Sequence, residues 1–126
     1  MKGIILAAIA AIASPAAAAD QFDLVCSGRD RRDIENQRYR VDLVRKEYCS
    51  GDCQEVRPIA EVTSGMITLT RHDPSPPDQE RSYNQINRTT GEWNWYWSNI
   101  RVSLRTQDVK GSCQPAAFSG FPAAKF

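Results

Sequence analysis

Glu92-Trp93-Asn94-Trp95-Tyr96-Trp97 sets the reading of this chain, because its chemistry repeats with a period of two. Successive side chains of a strand point to opposite faces, so Trp93, Trp95 and Trp97 share one face and Glu92, Asn94 and Tyr96 the other. The indole face has two readings. It is the core of a barrel, or it is a platform on which sugar rings stack, since flat indoles cover pyranose C–H surfaces while their N–H groups find polar partners. Ile100, Val102 and Leu104 follow in a register that would oppose the indoles. That pattern favours the core, as does the scarcity of large exposed apolar patches on soluble proteins. A mixed arrangement, with Trp93 buried and Trp97 at a rim, also satisfies it. The candidate binding residues are Trp95, Trp97 and Tyr96.

Working outward, Tyr83 to Asn87 leads into Arg88-Thr89-Thr90-Gly91, where Gly91 can take the left-handed position that closes a hairpin. Asn87-Arg88-Thr89 matches a glycosylation acceptor, but a turn explains its Asn and Thr better. Ser98-Asn99 turns the chain into a strand over Ile100 to Arg105. Ile59 to Val62 and Met66 to Arg71 read as a hairpin around Thr63-Ser64-Gly65. Arg38 to Val44 alternates, and Phe22 to Cys26 forms a short first strand. Gly28 to Gln37 is charged and nearly devoid of apolar residues, so it reads as a loop or a solvated turn of helix. Asp73 to Asp78 holds Pro74, Pro76 and Pro77 and must be an exposed loop. Pro58 excludes a central strand at its own position. The total is about seven strands, which predicts an all-β fold, a small antiparallel barrel or sandwich. The tail from Gln114 is too rich in phenylalanine to hang free and is expected to pack in part on the body.

The beginning of the chain supplies an address. Lys2 precedes an apolar run from Ile4 to Ala13, Ser14-Pro15 break it, and Ala17-Ala18-Ala19 match a small-x-small cleavage pattern. Residues 1–19 are therefore expected to be a signal peptide, and residues 20–126 a single β-rich domain that is periplasmic or secreted. The run is shorter than the roughly 20 apolar residues a membrane span needs, so no span is expected. In an exported chain the four cysteines imply two disulfide bonds, with three connectivities open. Cys49–Cys53 is favoured because Ser50-Gly51-Asp52 forms a turn, which leaves Cys26–Cys113 to tie the first strand to the last. On the chain-entropy model the longer loop contributes roughly 4 to 5 kcal/mol.

Sixteen basic residues face fifteen acidic ones, and removing Lys2 brings the formal charge to zero. No global field draws such a chain to nucleic acid or an anionic membrane. Arg29, Arg31 and Arg32 interleave with Asp30 and Asp33, which reads as a solvated loop with locally cancelling charge. His72 is the only histidine, so a two-histidine metal site is excluded. The chain has no G-x-S-x-G, H-E-x-x-H or phosphate-cradling glycine loop. No catalytic residue, cofactor or metal is expected, and no enzyme activity.

Tyr83-Asn84-Gln85-Ile86-Asn87-Arg88-Thr89-Thr90-Gly91, with Gly111-Ser112-Cys113 and Phe118-Ser119-Gly120-Phe121-Pro122, resembles small exported β-proteins of proteobacteria that have no assigned activity. The resemblance implies a periplasmic or secreted setting and brings no catalytic residue. The expected function is a monomeric binding or inhibitor-type module of the cell envelope, acting on an envelope protein or glycan. One alternative is a carrier of a small hydrophobic ligand, with tryptophans lining a cavity. The other is a glycan binder using the Trp93/Trp95/Trp97 face.

Overall fold

The computed structural model describes residues 19–99 and 106–123, together with Gly3 and Arg101. The expected signal peptide and the expected strand over Ile100 to Arg105 fall almost wholly outside the described residues. Among the described residues nine strands follow in chain order: β1 (Gln21–Arg29), β2 (Asp33–Asp42), β3 (Glu47–Ser50), β4 (Arg57–Pro58), β5 (Glu61–Val62), β6 (Met66–His72), β7 (Glu80–Asn87), β8 (Glu92–Asn99) and β9 (Gln107–Ala116). They form one antiparallel sheet in the order β4-β3-β2-β1-β9-β8-β7-β6-β5. The fold is all-β, as the alternation predicts, but nine strands replace the expected seven and a single sheet rules out a sandwich.

Gly28 to Gln37 is neither loop nor helix, and it lengthens two expected strands without adding one. β1 runs on to Arg29 and β2 begins at Asp33, pairing Arg29 with Asp33 across the short turn Asp30-Arg31-Arg32. Most side chains of this hairpin end are solvated, so the apolar alternation that marks a half-buried strand is missing there. The strands not expected are β3, which follows the β2 turn and carries Tyr48 and Cys49, the short β4, and β9; Ser98-Asn99, expected to turn, instead continue β8 in pairing with Arg81 and Glu80.

β4 and β5 occupy opposite edges of the sheet, yet only Ile59-Ala60 separates them in the chain. The two edges must therefore meet, and the sheet curls into a barrel-like form. The backbone N–H of Ile59 donates to Lys46 O at 2.8 Å, on the β3 side, and that of Ala60 donates to Leu69 O at 3.2 Å, on the β6 side. Pro58 sits at this junction, where a missing N–H is tolerated. The curl brings β1 and β9 close at the paired Gly28 and Gly111. A Cβ on Gly111 would lie 2.0 Å from Ser27 O, so no other residue fits there.

The concave side holds Leu24, Val41, Ile67, Leu69, Ile86 and Val109, together with Trp93, Tyr39 and the Cys26–Cys113 bridge between β1 and β9. The second bridge joins Cys49 to Cys53. Trp93 is 1 % exposed. Its Nε1 donates to Asn84 Oδ1 at 2.8 Å, and Asn84 Nδ2 donates to the Tyr39 hydroxyl at 2.9 Å. Burial pushes the Tyr39 hydroxyl up to about 12, which keeps it neutral at any physiological pH. The Tyr39 ring meets Trp93 edge-on at 6.3 Å and Tyr48 edge-on at 6.5 Å. Trp95 packs against this cluster, stacked on Trp93 at 6.0 Å.

The tail docks on the convex side. Ser119 donates to both oxygens of Asp23, at 3.1 Å from its backbone N–H and 2.6 Å from its hydroxyl. Arg38 Nε donates to Asp23 Oδ2 at 2.6 Å, and Arg40 holds Gly120 O at 2.8 Å. Phe118 and Phe121 pack edge-on at 5.4 Å. Among the described residues no helix is long and apolar enough to cross a membrane.

Replacing a large buried aromatic by alanine costs about 3 to 5 kcal/mol through lost burial and the cavity left behind. Trp93→Ala is expected in that range, lowering the melting midpoint by more than about 10 °C in a domain of this size. Trp95→Ala should cost less, since Trp95 is only partly buried, and Trp97→Ala least. Equal losses in thermal melts of the three variants would contradict this packing.

Asp23 gives a pH prediction. Burial, its largest single influence, pushes the carboxyl up, but the Ser119 and Arg38 hydrogen bonds and the Arg38 charge together hold it below its ordinary value. A carboxylate whose folded pKa is depressed contributes stability above its unfolded pKa of about 3.9 and loses it as pH falls through the folded pKa. Asp23→Asn should therefore be less stable than the native chain in neutral denaturant melts. The gap should narrow progressively below about pH 4. A gap that stays constant into acid would show that Asp23 does not hold the tail as a carboxylate.

Candidate functional site at the tryptophan rim

The antiparallel registers bring the end of β1, the start of β2, the end of β6, the start of β7, the end of β8 and the start of β9 to one end of the barrel-like sheet. Trp97 stands there, one step beyond Trp95 on the same face, where the cross-strand neighbours are Ser82 and Gln107. It is partly buried, and its Nε1 donates to Glu80 Oε1 at 2.7 Å. The Glu80 backbone N–H donates to Asp78 Oδ1 at 2.8 Å, and Asp78 Oδ2 meets His72 Nε2 at 2.5 Å. One hydrogen-bonded run thus connects the indole to the proline loop. The Glu80 N–H, then the His72 contact, holds the Asp78 carboxyl below its ordinary pKa.

A cleft of about 450 Å³ opens beside the indole, and its lining includes Asp30, Arg31, Arg32, Ile34, Trp97 and Val109. The charges around it do not cancel as the sequence pattern implies. Asp33 pairs with Arg29 at 3.5 Å, and Asp30 Oδ2 accepts the Asp108 backbone N–H at 3.4 Å. Among the described residues no carboxylate lies within ion-pair distance of Arg31 or Arg32. The cleft therefore combines an indole, an aliphatic wall, two guanidinium groups and one carboxylate, with positive charge in excess.

The three candidate residues are not brought together. Trp95 belongs to the core. Trp97 alone reaches the rim. Tyr96 lies on the convex face, stacked on Tyr83 with centroids 5.1 Å apart and planes 17° from parallel. The indole face is thus neither wholly core nor platform; it grades from a buried Trp93 to a rim Trp97.

Asp78 and Glu80 are candidate-site residues that sequence reasoning passed over. With His72 they place three potential ligand atoms within 4.8 Å of one another. The signal was a histidine at a strand end with acids six and eight residues on, across a loop that the Ser75–Asp78 bridge folds back on itself. All three side chains already have hydrogen-bond partners within the run to Trp97, and His72 and Asp78 are exposed.

The opposite mouth differs in chemistry. Phe22, Leu24, Ile67, Ile86 and Pro115 line a mostly apolar opening of about 230 Å³ there, to which Asn87 and Arg88 add a polar side. Below it the interior is filled by the core side chains.

No protein-family model matches the chain, and neither a curated protein nor a solved structure matches it.

The two guanidinium groups give the rim a positive local field although the chain as a whole is nearly neutral. Iodide should therefore quench the exposed part of the tryptophan emission more strongly than caesium does. The difference should shrink in Arg31→Ala/Arg32→Ala and at high salt, where exposed charges are screened beyond about 3 Å. Equal quenching by both ions in the native chain would remove the arginines from the neighbourhood of Trp97.

Proposed function

We propose that this chain is an exported binding module of the bacterial cell envelope that recognises an envelope glycan or protein with the tryptophan rim. The observation that carries the reading is the rim cleft, in which Trp97 is held by Glu80 beside Arg31 and Arg32. A partly exposed indole with its N–H engaged offers its ring to an apolar surface, and guanidinium groups with no ion pair among the described residues add affinity for carboxylates. The two disulfides are compatible with an oxidising compartment and with the expected leader. A barrel whose interior is filled by side chains recognises partners through its loops and rims.

Carriage of a small hydrophobic ligand is the second reading, and the apolar mouth favours it. Its opening of about 230 Å³ falls below the usual 300 to 1,000 Å³ of ligand pockets. The filled core beneath leaves little depth for a lipid chain.

The test is co-sedimentation of the purified exported protein with peptidoglycan sacculi, which carry both sugar faces and carboxylates. The native chain is expected to pellet with sacculi. Trp97→Ala and Arg31→Ala/Arg32→Ala should pellet at least tenfold less while keeping native melting curves, a loss of about 1.4 kcal/mol of binding. Undiminished pelleting by both variants would remove the rim from the interaction, and a fatty acid found by mass spectrometry in the native protein would favour the carrier.

A further inference from the structure

The convex face of β7, β8 and β9 carries a feature that the rim does not use. Gln85, Asn94 and Lys110 pair directly across these three strands, and Tyr83, Tyr96 and Asp108 form the next row on the same face. Neighbouring strands lie about 4.8 Å apart and alternate residues about 7 Å apart along a strand, so the two rows form one continuous patch. A cleft of about 350 Å³ sits over it, lined by Met66, Gln85, Asn87, Glu92, Asn94 and Lys110.

Asn94 is the anomaly in this cleft. Its Oδ1 is buried and has no hydrogen-bond partner, while its Nδ2 reaches Asp108 Oδ1 only at 3.4 Å. Native structures rarely leave a buried polar atom unpaired, and Arg40 Nε is the other side-chain case among the described residues. Asn87 Oδ1 already accepts the N–H groups of Thr89 and Thr90, at 2.9 and 3.0 Å, so its free capacity is as a donor. Gln85 makes no side-chain hydrogen bond among the described residues and offers both a donor and an acceptor.

We infer that this convex cleft binds a neutral saccharide, with the Asn94 amide turning so that its buried, unpaired Oδ1 accepts a sugar hydroxyl, and the stacked Tyr83–Tyr96 pair forming the adjoining apolar ledge. Three features select this ligand class. Amides that give and accept at close spacing match hydroxyl groups, which do both. Glu92 and Lys110 bear opposite charges, so the cleft favours no net charge. The site also lies on a sheet face, where no unpaired backbone is available to add a peptide strand, since β7, β8 and β9 are each paired on both sides. The site is separate from the rim, because Asn94 and Trp97 project to opposite faces of β8.

The test is a titration of the ¹⁵N-labelled protein with chitotetraose and with cellotetraose, following the side-chain amide signals of Asn94, Gln85 and Asn87 and the Trp97 indole N–H. Saturable shifts at Asn94 and Gln85 are expected with at least one sugar, at a Kd of about 0.1 to 1 mM, while the Trp97 signal stays in place. Asn94→Ala should weaken that binding about tenfold while changing the melting midpoint little, because it gives up one long hydrogen bond to Asp108 and removes a buried acceptor that has no partner. Trp97→Ala should leave the affinity within about twofold, so failure here and failure at the rim are read separately. The proposal is overturned by saturable shifts at Trp97 instead of Asn94, or by no saturable shift at Asn94 with either sugar up to about 10 mM.

Discussion

Two hydrogen bonds in series, Trp93 to Asn84 and Asn84 to Tyr39, span the interior and hold the curvature of the sheet. Tyr39 is on β2 and Asn84 on β7, with β1, β9 and β8 between them in the sheet order. Flattening the sheet would part them and strand a buried indole N–H, an amide and a phenol. Each buried polar group left unpaired costs about 1 to 3 kcal/mol, more than a typical hydrogen bond contributes when made. The same chain fixes register. A one-residue slip of β8 would turn Trp93 outward, leave Asn84 unsatisfied and put Glu92 or Asn94 against Leu24 and Ile86.

Covalent constraints act on the same curl from its two sides. Ile59-Ala60 joins the edge strands directly, so the sheet offers little open edge to a second chain, and edges are where sheet proteins aggregate. Cys26–Cys113 fastens β1 to β9 at the middle of the order, beside the glycine pair that lets them approach. The tail then covers the convex side of β1 and β2, burying Asp23 completely against Ser119. A neutral serine alone would be a poor partner for a buried carboxylate. Arg38, partly exposed, supplies the charge that makes the burial tolerable.

What was legible in the residues follows from this division. Alternation at Trp93 to Trp97 and at Tyr39 to Val41, the turn at Gly91 and the hairpin around Gly65 are local signals, and an element stands at each, with bounds that differ by a few residues; Gly91 has a φ of 78°. The cysteine pairing was accessible because Cys49 and Cys53 flank a turn and leave only one other pair. Gly28 to Gln37 misled because a solvated hairpin end needs no apolar face, so its strands carry no periodic signature. The Tyr39–Asn84 contact joins residues 45 positions apart, and no pattern within either strand announces it. Asp78 was hidden for a related reason: the sequence places His72 beside Asp73, and only the folded proline loop turns His72 toward Asp78.

The candidate site illustrates how a core pattern shades into a surface one. Trp93, Trp95 and Trp97 repeat a single residue type along one face of β8, yet a barrel has finite length. Its middle is dry and its ends are wet, so identical side chains in line receive different tasks from position alone. Trp93 finds a buried amide for its N–H and becomes structural. Trp97, about 13 Å further along the strand, finds a carboxylate from the loop and keeps part of its ring in reach of solvent. Opposite each indole, the alternation forces a polar residue or a tyrosine onto the convex face. A strand built to fill a core with indoles therefore also lays an amide and a phenol in a row outside. Both proposed sites follow from that one period of two, and neither requires a cavity through the packed interior.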